Sequence, residues 1–293
     1  MYRLIIVWAV LLVLAANSLY KEEQEVDLKI GMLKTVDTIH PLIAKEKGYF
    51  QEEGLNYSIH SFGTSTALAE AVASGDIDIA YMSVVPAAIW KERGVDVMIV
   101  AGVSRGGDIV CTRSGGVTGK IAVSGKGTMT QIVYETYVED KFAYEPIYGI
   151  EPADMPTALL ITKDIDSVIT WEPFASEIEK NGGVCIFDVG KEWEKEYGTK
   201  YQRNVLVVSR RVLNDTKLLQ KVLSVHNKTI AYLNSPEADQ SIAKAMGITP
   251  LDSRRVEYNA TLDWESMKMI LETAKKNGYL KKIPEKEDIV YGG

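Results

Sequence analysis

Apolar positions along the chain fall into short runs punctuated by turn residues. VDLKIGML (26–33) alternates apolar and polar residues with period two, as a half-buried strand does. A helix is predicted over Pro41–Lys47, with Pro41 suited to its first turn and Gly48 to its end. LNYSIHSF (55–62) reads as a second strand, and Thr64-Ser65-Thr66 caps a helix that stops at Gly75. IDIAYM (77–82) is a third strand, VPAAIWKERG (85–94) a helix and VDVMIVAGV (95–103) a fourth strand. Strands alternating with helices across short turns predict a parallel α/β sheet that binds ligands at the carboxyl ends of its strands.

The middle of the chain repeats this pattern. DIVCT (108–112) and KIAVS (120–124) are strands, and a glycine-rich turn then leads GKGTMTQIVYETYVED (125–140) into a helix. A helix over 153–162, the strand DSVITW (166–171), the helix PFASEIEKNG (173–182) and the strand VCIFDV (184–189) follow. NVLVVS (204–209) is continuously apolar, as a buried strand is. Beyond it, Leu219, Val222, Leu223, Ile230 and Leu233 trace a helical stripe over 215–234, with further helices at 236–246 and 264–277. Two α/β halves and a helical tail predict two lobes joined by crossover strands at 108–113 and 204–209. Residues 26–107 plus 209–293 form lobe 1, and 108–208 form an inserted lobe 2. A ligand cleft between two hinged lobes follows from that arrangement.

The first residues set the compartment. Residues 4–16, LIIVWAVLLVLAA, form an apolar run behind Arg3, too short for the roughly 20 residues that span a bilayer. With Ala16-Asn17-Ser18 after it, the run reads as a secretory signal peptide over 1–18, or else as an N-terminal anchor. Either way the folded part lies outside the cytoplasm. Sequons at Asn56, Asn214, Asn227 and Asn259 add a weak hint in the same direction. An oxidising compartment permits a disulfide, but Cys111 and Cys185 each sit inside an apolar strand-like run, so buried free thiols are expected.

Composition narrows the function class. The chain has 293 residues, 46% hydrophobic and 25% charged, which is ordinary for a globular protein of about two domains. A net charge of −7 argues against a nucleic-acid binder, which needs a basic face. Three scattered histidines and two cysteines leave little for a zinc site, and no motif calls for a cofactor. Hydrolase signatures such as G-x-S-x-G and H-E-x-x-H are absent as well.

Several motifs occur together. They are a Pro-to-Gly-Tyr-Phe helix (Pro41–Phe50), a GTS loop opening a helix (Gly63–Thr66), and A-x-x-x-G-x-I-D (Ala71–Asp78). SRGGDIVC (104–111), GKIAVSGKGTMTQ (119–131) and DIDSVITWEPF (164–174) follow in order. From about residue 27 to 275 the chain resembles the extracytoplasmic solute-binding proteins of ABC importers for nitrate, sulfonates, taurine and thiamine pyrimidine precursors. The resemblance implies a type II periplasmic-binding-protein-like fold, an ABC permease with its ATPase as partner, and no enzymatic activity. Ser83 stands where many relatives have glycine, and Thr38 where thiamine-precursor binders tend to have histidine, with His40 two residues on.

Candidate ligand contacts lie at strand ends and helix starts, where free N–H groups and the helix dipole favour an anion. Gly63, Thr64, Ser65 and Thr66 supply one such loop, and Gly127, Thr128 and Met129 another, with Lys126 beside them. Each loop can equally serve as the N-cap of its own helix. Arg105 can pair bidentately with a sulfonate or carboxylate, or form a salt bridge to Asp108. Trp171 offers a flat apolar wall and Glu172 an acceptor for an amine or ring N–H. Thr35 and Ser83 complete the set, while Asp37 is set aside as a turn residue open to solvent. His60 and His226 read as structural, and His40 as nearer the cleft. A small anionic solute of the sulfonate, taurine or nitrate type is the expectation. A thiamine-pyrimidine-like vitamin precursor is the alternative, with a pyrimidine-synthase-type enzyme behind it. The acidic net charge does not weigh against an anion, because local dipoles and one or two basic side chains govern a closed cleft.

Overall fold

The computed structural model describes residues 28–249 and 255–292. The expected signal segment lies outside the described residues, as do the first two positions of the 26–33 strand. Strands β1 (Leu28–Leu33), β2 (Tyr57–Phe62), β3 (Ile79–Ser83) and β4 (Val97–Gly106) build most of the larger sheet. β10 (Gln202–Ser209) and β11 (Val256–Tyr258) complete it in the order β11-β4-β10-β3-β1-β2. β5 (Ile109–Thr112), β6 (Thr118–Val123), β7 (Ala143–Tyr148), β8 (Ser167–Thr170) and β9 (Val184–Asp188) form the second sheet, ordered β7-β6-β8-β5-β9. Two mixed α/β lobes result.

The sheets are mixed where parallel sheets were expected. β10 runs antiparallel to both neighbours, β3 and β4, and β5 runs antiparallel to β8 and β9. The strand Gln202–Ser209, which the expected lobe boundary divides, lies whole in the larger sheet. Its run from Val205 to Val208 is fully buried because it is central there. β7 carries Pro146, which argues against a strand, and it occupies the edge position, where a missing N–H costs no ladder bond.

Local chemistry sets the helix ends. Gly48 closes the His40–Lys47 helix in the left-handed region at φ 77°. Asp215 caps the Thr216–Leu233 helix by accepting the Leu218 N–H at 3.0 Å, and that helix buries Leu218, Leu219, Val222, Val225, Ile230 and Leu233 on one face. Each such side chain contributes about 1.5–3 kcal/mol of burial. Between the sheets the chain crosses twice, through 106–108 and through a segment that includes the helix Val189–Tyr197. The crossovers touch glycine to glycine, since a Cβ on Gly190 would meet the Gly106 Cα at 3.0 Å. The Asp108 carbonyl also accepts the Val189 N–H at 3.0 Å.

The expectation of free thiols is overturned. Cys111 and Cys185 face each other on β5 and β9 and form a disulfide. Strand pairing supplies the proximity that two separate apolar runs could not reveal.

Candidate functional site

A small cavity opens where the lobes meet, lined by Val36, Asp37, Gly107, Trp171, Glu172 and Val256. The first lobe supplies Asp37 from the 3-10 turn Val36–Thr38 after β1, and Val256 from β11. The second lobe supplies Trp171 and Glu172 from the turn between β8 and the Phe174–Lys180 helix. Gly107, in the crossover, holds φ at 104° and passes so close to Val256 that an added Cβ would lie 2.8 Å from it.

Behind the cavity lies a buried ionic network. Arg203 on β10 is 4% exposed. Its Nε donates to Asp37 Oδ2 at 2.8 Å, its Nη1 to Asp108 Oδ2, and its Nη2 to Thr130 Oγ1 at 3.3 Å. Its guanidinium lies over the Trp171 ring, 5.3 Å from the centroid. Thr130 and Tyr201 donate to the two oxygens of Asp108 at 2.9 and 2.5 Å. Burial opposes charge on Arg203, yet Asp108 and Asp37 together hold its pKa above the ordinary arginine value. Burial, reinforced by Asp108, likewise raises the Tyr201 hydroxyl well above its ordinary value. Asn204 Nδ2 donates to the same Asp37 oxygen at 2.7 Å, and Ser83 holds Asn204 by donating to its Oδ1 at 2.9 Å.

Two polar atoms of the cavity residues remain unsatisfied, Asp37 Oδ1 and Trp171 Nε1. Buried polar atoms without partners are rare in folded proteins, and these two, one from each lobe, leave an acceptor and a donor free at the cavity. Glu172, 4% exposed, is occupied: Arg255 Nη1 donates to Oε1 at 2.5 Å and the Ser176 N–H to Oε2 at 3.1 Å. Arg255 also donates to Glu179 at 2.6 Å, so it ties the two lobes beside the cavity.

The structure brings together Trp171 and Glu172, with Ser83 one hydrogen-bonded residue behind. Thr35 stands just outside, sharing a 2.8 Å hydroxyl contact with Thr38. Gly63, Thr64 and Thr66 are exposed, Ser65 half-buried, and Thr64 caps its own helix by accepting the Ala67 N–H at 3.1 Å. Thr128 does the same for Gln131, and the Gly127 N–H is taken by the Gln131 side chain at 2.5 Å. Met129 is buried in the core. Arg105 donates to Thr199 Oγ1 and the Thr261 carbonyl, and the salt bridge foreseen with Asp108 is replaced by the one to Arg203. His40 is fully buried, stacked on Tyr81 and His226 rather than facing the cleft.

Asp37, Arg203, Asn204, Asp108, Thr130 and Arg255 were missed as site residues. One signal was present: Gln202-Arg203-Asn204, a polar triplet opening an otherwise apolar buried strand. Buried arginine in a strand needs carboxylate partners, and that requirement points to an ionic site before the partners are known.

A family model described as the NMT1-like family matches residues 21–143. No curated protein matches the sequence significantly. Solved structures similar in fold include the periplasmic aliphatic sulphonate binding protein SsuA from Escherichia coli, at 18% identity and TM-score 0.73, covering 90% of this chain and 91% of that one. The ligand-binding component of an ABC-type import system from Staphylococcus aureus, with zinc bound, has 18% identity and TM-score 0.72, with 90% and 96% covered. The periplasmic nitrate-binding protein NrtA from Synechocystis PCC 6803 has 13% identity and TM-score 0.67, with 87% and 83% covered. Among the described residues no cluster of three or more His, Cys, Asp or Glu could hold a metal ion, and no helix is long and apolar enough to cross a membrane. The chain thus has the fold of the ABC-import solute-binding proteins over nine tenths of its length, and residues 21–143 match the NMT1-like family model.

Proposed function

We propose that the chain is the extracytoplasmic substrate-binding component of an ABC importer, a binder rather than an enzyme, which closes two lobes on a small solute and presents it to a permease with its ATPase. The solute is a single-ring molecule with hydrogen-bond donors, of the thiamine-pyrimidine-like class. The observation that carries this reading is the presence, on opposite walls of one cavity, of an unsatisfied carboxylate oxygen on Asp37 and an unsatisfied indole N–H on Trp171. An amino-substituted ring offers the complementary donor and acceptor, and the indole face offers a stacking surface. The formal charge around the cavity supports it. Asp37 and Asp108 share Arg203, and Glu172 and Glu179 share Arg255, so each cluster keeps one carboxylate in excess.

A second reading, a sulfonate- or nitrate-type anion, is favoured by what the Escherichia coli and Synechocystis neighbours are described as binding. In the helix-start loops that would hold an anion, Thr64 and Thr128 are spent on capping their own helices, which weighs against it. Mass spectrometry of the solute released on denaturing the purified chain, with calorimetry against an aminopyrimidine, taurine and nitrate, separates the two. Binding of the aminopyrimidine is expected. Release of a sulfonate, or tight binding of nitrate alone, would reject the reading.

A further inference from the structure

Arg203 touches both walls of the cavity without lining it. On the first-lobe side it and Asn204 fill one oxygen of Asp37, which fixes the carboxylate's orientation and leaves Oδ1 for the solute. On the second-lobe side the same guanidinium reaches Thr130 and covers the Trp171 ring, and at the crossover it binds Asp108. Asp37 and Arg203 belong to one sheet-bearing lobe and move together when the lobes part. Thr130 and Trp171 belong to the other, so opening breaks those contacts. We infer that Arg203 is a positioning residue that couples solute capture on Asp37 to closure of the second lobe.

The coupling follows from charge. Two carboxylates, Asp37 and Asp108, compete for one buried guanidinium. With the cavity empty, Asp37 draws on that cation alone. A solute donating to Oδ1 takes over part of the neutralisation of Asp37, and the guanidinium is then freer to engage Asp108, Thr130 and the Trp171 face. Closure and capture are then reciprocal, each strengthening the other. The role needs a planar fork with donors on three nitrogens and a stacking face, which lysine lacks. The inference rests on the reading that the solute donates to Asp37.

The test compares wild type, Arg203→Lys and Thr130→Val, each carrying Gln51→Cys and Ile161→Cys for spin labels. Both label positions are exposed, one in each lobe, and the native cysteines are already paired. Interlobe distance is read with and without saturating aminopyrimidine or taurine, alongside affinity and thermal midpoint. Wild type is expected to shorten the distance. Arg203→Lys is expected to bind at least about tenfold more weakly and to stay open at saturation. Thr130→Val, which keeps the ion triad intact, is expected to close only in part and serves where Arg203→Lys fails to fold. A merely structural arginine would lower the thermal midpoint and leave closure of the folded chain unchanged. Full closure of both variants at saturation overturns the inference. Wild-type closure on taurine but not the aminopyrimidine rejects the functional reading alone, and the variants then decide the coupling on taurine. A wild-type chain that closes on neither overturns both.

Discussion

A carboxylate in a turn just past a strand is ordinarily solvated, yet Asp37 is 6% exposed, because Arg203 and Asn204, distant in sequence, fill one of its oxygens. Its other oxygen is where a solute's donor gains most, since a buried unmet acceptor makes the bond worth more than one exchanged with water. Asp37→Asn is therefore expected to weaken aminopyrimidine binding by about 1.5–3 kcal/mol, the scale of a charged hydrogen bond, as read by calorimetry. Arg105→Ala is expected to leave that affinity within about twofold, because its guanidinium is tied to Thr199 and Thr261. A large loss in Arg105→Ala with taurine would instead favour the anionic reading. Trp171 and Glu172 were legible in the sequence because a strand ending in Trp-Glu-Pro places them at a cleft edge. Asp37 was not, since its burial depends on a partner 166 positions away.

Among elements, β5 and β9 bear the crossovers, and their pairing explains why the disulfide sits where it does. Ile109 is opposite Asp188 at the hinge end, and Cys111 opposite Cys185 a few residues further on. The bond closes a loop of 74 residues in the unfolded chain, so its loss frees considerable chain entropy. Cys111→Ser with Cys185→Ser is expected to lower unfolding stability by about 2–4 kcal/mol in denaturant titration. An equal effect of reductant on the wild type would confirm the bond as the cause. Helices and apolar strands were readable from periodicity alone. The antiparallel placement of β10 was not, because a continuous apolar run looks the same in either direction. The edge strand β7 was hidden by Pro146, and the short β11 offers only three residues of pattern.

At the scale of the whole molecule, one apolar cluster runs from Leu68 and Val84 in the first lobe, through Ile270 and Leu271 of the Trp264–Lys276 helix, to Val110, Ile121 and Ile132 in the second. The lobes therefore share one apolar core, which couples the stability of each to the other. That makes global stability sensitive to the buried histidine pair in the first lobe. His40 and His226 are fully buried with rings 5.6 Å apart. Burial lowers both pKa values, that of His226 to about 4, and the neighbouring charge of His226 lowers His40 further. In the unfolded chain each returns to about 6.5, so the unfolded state binds protons first as pH falls. Stability is then complete above about pH 7.5 and lost as pH drops through 6.5 toward 4, at up to about 2.7 kcal/mol per pH unit for the pair. His40→Phe, which keeps a ring against Tyr81 and Tyr258, is expected to halve that slope whatever it does to stability at pH 7.5. Denaturant titrations of both chains at pH 7.5, 6.0 and 5.0 measure it, and an unchanged slope would place the acid sensitivity in other groups.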